Sequence, residues 1–146
     1  MVSTKVEFHT QAPDKLLYAC RLLRKAAASG AKVQVTAAEE ALRQFDQLLW
    51  TFSNADFVPH CLQDALPQVL ANSPILLTPT PQADTGHAIL LNLGSGVPAG
   101  FEQFDRIIEI VGEDASDKQQ ARGRWKHYAG SGCDMSSRDL QATTPR

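Results

Sequence analysis

"RIIEIVGEDASDKQQARGRWKHYAGSG", residues 106–132, decides the fold class. Residues 107–112 form a β-branched apolar run ending on glycine, which reads as a strand. The acidic corner "EDASD" then hands the chain to a helix. Ser116 is a good N-cap, and Asp114 and Asp117 lie near the positive end of the helix dipole.

The same alternation extends outward to the N-terminus. "KVEFH" (5–9) alternates and is β-rich, so it reads as a strand. "APDKLLYACRLLRKAAASG" follows as a helix, with Pro13 in its first turn and Gly30 at its stop. "AKVQVTA" (31–37) is a second strand, and 37–52 a second helix with Thr36 as its cap. "DFVPHCL" (56–62) is broken by Pro59, so it is an edge strand or a loop. "PILLTPT" and "HAILLNLG" read as buried strands, and "AGFEQFDR" as a short helix or turn. This order implies one α/β domain over 1–135 with a mostly parallel sheet. The closely spaced middle strands leave room for an antiparallel member. Residues 136–146 read as a polar tail, loose unless something docks it.

With 14 Lys and Arg against 16 Asp and Glu, the net charge is −2. That balance excludes whole-surface attraction to nucleic acid, so affinity for an anion has to come from a local patch. The opening "MVSTKVEFHTQ" has neither the apolar core nor the cleavage pattern of a signal peptide. No apolar run approaches the ~20 residues of a membrane span. Cys20, Cys61 and Cys133 are few and widely spaced, as expected of free thiols in a reducing cytoplasm.

No catalytic constellation emerges. The first strand-to-helix loop, "HTQAPD", lacks the glycines of a phosphate-binding turn. His9, His60, His87 and His127 are scattered, and Cys61 has only His60 beside it. Neighbours on a strand point to opposite faces. The stretch 94–99 fits G-x-G-x-x-A on paper, which keeps a nucleotide-binding α/β enzyme using the 94–100 loop as an alternative. Against it, Pro98 sits inside the would-be helix start, and a loop is the simpler reading. No cofactor and no metal are expected.

Recognition chemistry is concentrated in the final helix. Lys118, Arg122, Trp125 and Lys126 fall at i, i+4, i+7 and i+8, one stripe, with Ala121 and Tyr128 along its edge. Two readings are open: a solvated helix face with Trp125 turned to the core, or a cationic row beside an aromatic wall. Direct DNA binding by the four cations Lys118, Arg122, Arg124 and Lys126 on an acidic protein would be weak, with a shallow salt slope.

Two blocks carry a resemblance. "LLWTFSNADFVPHCL" (48–62) and 106–135 together resemble the chi subunit family of bacterial DNA polymerase III. Within the second block, residues 118–128 read K-x-x-A-R-x-R-W-K-x-Y, which resembles that family's closing-helix pattern, and element order and length fit throughout. The resemblance implies a Rossmann-like three-layer α/β/α sandwich without a nucleotide site, and a non-catalytic clamp-loader accessory protein. Its implied partners are the psi subunit and the acidic, Phe-ending C-terminal tail of single-stranded DNA-binding protein, with DNA contacted only indirectly. By position, Lys118, Arg122 and Lys126 match the basic residues facing that tail. Arg122 is expected to fork onto the terminal carboxylate, with Lys118 and Arg124 attracting the aspartates. Val111 and Trp125 would wall the phenylalanine pocket, with Trp50 near the same groove. Phe57, Val58 and Pro59 form either a psi-docking patch or core.

Overall fold

The computed structural model describes residues 4–51, 60–62, 74–82 and 86–141. Among the described residues, ten regular elements follow in order: β1 (Lys5–Ala12), α1 (Lys15–Ala28), β2 (Val33–Thr36), α2 (Glu39–Thr51), β3 (His60–Leu62), β4 (Ile75–Leu77), β5 (Ile89–Asn92), β6 (Arg106–Gly112), α3 (Ala115–Gly130) and β7 (Asp134–Asp139). A single turn of 3-10 helix, Phe101–Gln103, precedes β6. The strands form one seven-stranded sheet in the order β3-β4-β2-β5-β6-β1-β7. Every pairing in it is parallel, so the antiparallel member that the sequence allowed for is not used.

Strand alternation sorts side chains into two cores. In β6, Ile108 and Ile110 face α1 and α2, whereas Ile107 and Val111 face α3. The first core joins Cys20 and Leu23 of α1 to Phe45 and Leu49 of α2 and to Val33, Val35 and Leu91 of the sheet. The second joins Phe8, Leu90, Phe101 and Phe104 to Ala121 and Tyr128 of α3. A sheet covered by helices on both faces is the three-layer sandwich.

Chain direction explains the layering. From β1 through α1 to β2, and from β2 through α2 to β3, the chain steps one way across the sheet. From β6 through α3 to β7 it steps the other way. Crossovers of the same hand therefore put α3 on the opposite face. β1 and β6 are neighbours whose helices leave to opposite sides, so a crevice opens beyond their carboxyl ends.

Local details refine the sequence reading. Helix α3 is capped by Asp114, whose carboxylate accepts from Asp117 N–H at 3.1 Å, and not by Ser116. Asp114 has the extended backbone a cap needs, while Ser116 is already helical. Asp14 caps α1, leaving Pro13 one position before the cap. Thr36 stays in β2, and its hydroxyl donates to Pro79 O at 3.1 Å. The expected boundary between 135 and 136 is crossed by β7, which pairs with β1 from Lys5↔Asp134 to Thr10↔Asp139. Mostly polar residues form a strand there because β7 is the sheet's edge, largely exposed apart from half-buried Met135, and held by its ladder.

Candidate binding cleft

The crevice beyond β1 and β6 is a cleft of about 520 Å³ lined by Phe8, Thr10, Gln11, Val111, Lys118, Ala121, Arg122, Trp125, Lys126 and Ser137. Its floor is apolar. Phe8 and Trp125 pack with ring centroids 5.1 Å apart, and Val111 closes the end of β6. Helix α3 supplies one wall, carrying Lys118, Arg122 and Lys126 at one-turn spacing. Arg122 and Lys126 are exposed. Among the described residues none of these three cations makes an ion pair. The facing wall is neutral: Thr10 and Gln11 from β1, Ser137 from β7.

The structure thus brings together Val111, Lys118, Arg122, Trp125 and Lys126, five of the expected site residues. Trp125 is half-buried; it packs on Phe8 and still faces the cleft, so it serves as both core and wall.

Two expectations are corrected. Arg124 is not on the rim. It is 2% exposed, and its Nε donates to Glu109 Oε1 at 2.9 Å while Nη1 donates to the Ser95 carbonyl at 2.9 Å. Two positions along a helix turn a side chain by about 200°, so Arg124 points inward when Arg122 points out. Trp50 is not in the groove either. It is 50% exposed on α2, and α2 packs on the opposite face of the sheet. Phe57, Val58 and Pro59 lie outside the described residues.

A buried polar network that the sequence reading missed holds α3 in place. Glu109 is fully buried and accepts from Arg124 Nε, from Tyr128 Oη at 2.6 Å and from Asn92 Nδ2 at 2.8 Å. Burial pushes the Glu109 carboxyl above the usual carboxylate range, against the pull of Arg124 and the three donors. Burial and the adjacent Glu109 charge push the Tyr128 phenol up as well, which keeps it a donor. A signal was present: Glu109 interrupts the run "IIEIV", and a charge in a strand buried on both faces requires partners.

The same network occupies the 94–100 loop. Asn92 Oδ1 accepts from Gly94 N–H at 2.9 Å, and the carbonyls of Ser95 and Gly96 accept from Arg124 and Asn92. A Cβ at residue 94 would come within 3.3 Å of Asn92 Oδ1, which accounts for that glycine. Only a three-residue 3-10 turn follows the loop. With its first amide engaged and no long helix behind it, the loop lacks the features of a dinucleotide turn, and the nucleotide alternative is dropped. Among the described residues, no group of three or more His, Cys, Asp or Glu is placed to hold a metal, and no helix is long and apolar enough to cross a membrane.

The family model described as DNA polymerase III chi subunit, HolC, matches residues 3–136. This chain belongs to the DNA polymerase III chi subunit family. The chi-family assignment is supported by individual relatives. A DNA polymerase III subunit chi of Pseudomonas aeruginosa is 31% identical over 134 residues, covering 88% of this chain and 92% of the relative. Another, of Haemophilus influenzae, is 30% identical over 124 residues, covering 84% and 85%. As a chi-family chain it takes part in DNA replication with the polymerase III holoenzyme.

Proposed function

We propose that this chain is a non-catalytic accessory subunit that links the clamp loader, through the psi subunit, to single-stranded DNA-binding protein. The link is made when the cleft takes the acidic, Phe-ending C-terminal tail of that protein. One observation carries the reading: three cations without ion-pair partners, among the described residues, stand beside an apolar floor. An anionic ligand with an aromatic body complements that arrangement. The terminal phenyl ring lies between Val111 and Trp125, and the Arg122 fork receives the carboxylate. Lys118 and Lys126 draw in the preceding aspartates, so binding weakens with salt. Such a subunit works in the cytoplasm and reaches DNA only through its partners. Phe57, Val58 and Pro59 are the candidate psi contact.

The test is a titration with an acidic peptide ending in phenylalanine, read by Trp125 fluorescence in a Trp50→Phe background. Saturable binding is expected, weakened when the peptide ends in an amide or in alanine. Absence of saturable binding at low salt overturns the reading. For the psi contact, Phe57→Ser with Val58→Ser is expected to abolish copurification with psi while peptide binding persists.

A further inference from the structure

A distortion in β1 re-aims a side chain into the cleft. Along β1, Val6 and Phe8 face α3, while Glu7 and His9 face the other way. Strict alternation would send Thr10 to the cleft and Gln11 to the opposite face. Instead the register with β6 slips between His9↔Ile110 and Ala12↔Gly112, three residues on β1 spanning two on β6. Gln11 absorbs the slip at φ 61°, the one non-glycine residue with positive φ among those described. Two consecutive side chains, Thr10 and Gln11, therefore line the cleft, and Ala12 returns to the α1 core.

A long side chain disfavours the left-handed region, where glycine or asparagine is at ease. The distortion is held from outside: Leu140 N–H donates to Thr10 O at 2.9 Å, and Gln141 Nε2 donates to Gln11 O at 3.1 Å. The Gln11 side-chain amide, by contrast, has no hydrogen bond among the described residues. A strained residue that delivers a free amide to the neutral wall of a charged cleft is an arrangement with a use.

We propose that Gln11 is a specificity-determining residue that hydrogen-bonds the backbone of a bound peptide next to its C-terminal residue. This rests on the tail-binding reading. The α3 wall holds the carboxylate and ring, and Gln11, from across the cleft, supplies one donor and one acceptor to an extended peptide's N–H and C=O. The ligand class is thus narrowed from any aromatic anion to a peptide with a free amide at that position.

The test compares Gln11→Gly, Gln11→Asn and wild type, each titrated with the acidic Phe-ending peptide and with a copy N-methylated on the amide of its last residue. Gln11→Gly relieves the left-handed strain, so its thermal midpoint should stay level or rise. Its affinity should nevertheless fall roughly three- to tenfold, the range of one neutral hydrogen bond. N-methylation should weaken wild type by a similar factor and Gln11→Gly hardly at all. Gln11→Asn, at ease in the left-handed region and keeping an amide, should recover part of the loss. Wild-type affinity in Gln11→Gly, or equal sensitivity of both proteins to N-methylation, overturns the Gln11 role. Failure of wild type to bind either peptide overturns the tail reading instead.

Discussion

Arg122 and Arg124 stand two residues apart, and exchanging either for alanine should produce opposite failures. Arg122 is exposed on the cleft wall without an ion-pair partner among the described residues, so Arg122→Ala should leave the melting temperature close to wild type. It should remove a charge-assisted contact to the peptide carboxylate, nominally about 1.5–3 kcal/mol. Because the guanidinium is solvent-exposed, the lower end applies, about tenfold in Kd. Arg124→Ala strips the counter-charge from Glu109, which has 0% exposure. Breaking a buried pair from one side costs about 3–5 kcal/mol. At about 3 °C per kcal/mol for a chain of this size, the midpoint should drop by roughly 10–15 °C. Below that transition the folded Arg124→Ala protein should still bind the peptide, since Lys118, Arg122 and Lys126 are intact. Calorimetry and Trp125 fluorescence titration measure the two quantities on the same samples. Full affinity in Arg122→Ala, or a wild-type midpoint in Arg124→Ala, would refute the assignment of outward and inward faces to α3.

Other consequences follow from single sites. Gly123 sits mid-helix with nothing within 4 Å of a would-be Cβ, so Gly123→Ala should raise stability by about 1 kcal/mol in denaturant melts and leave peptide affinity unchanged. His9 is buried, bonded to Tyr18 Oη and Glu7, and burial holds its pKa below the ordinary 6.5. The unfolded chain then binds the extra proton first, so stability should fall as pH drops below about 6.5. His9→Gln should flatten that part of a pH series of thermal melts. Cys20 is fully buried with its thiol pushed up to about 11, chiefly by burial, so a thiol reagent on native protein should label half-buried Cys133 well before Cys20, as read by peptide mass mapping.

Much of the fold was legible because periodicity reports burial directly. The apolar runs at 75–77, 89–92 and 107–111 read as buried strands, and capping chemistry marked the helices to within a turn. Reading Lys118, Arg122, Trp125 and Lys126 as one stripe needed only helical spacing. β7 was not legible: apart from Met135, Asp134–Asp139 is polar, and its strand is made by the ladder with β1. The slip at Gln11 is likewise a property of two strands in register.

By itself, the sequence determined that a helix follows the acidic corner, within residues 117–132, that its cations fall in rows, and that residues 106–135 resemble the chi family. It could not determine which row faces out. Helix α3 is mostly polar, and its short apolar seam, Ala121, Trp125 and Tyr128, is interleaved with cations, so apolar periodicity alone does not sort Arg122 from Arg124. The tertiary structure decided this through Glu109, a buried carboxylate that draws Arg124 and Tyr128 inward and thereby turns Lys118, Arg122 and Lys126 toward the cleft. The physical reason is desolvation: a charge inside a sheet must be neutralised from the layer above it, and that demand outweighs the small preference of any one lysine or arginine for the surface.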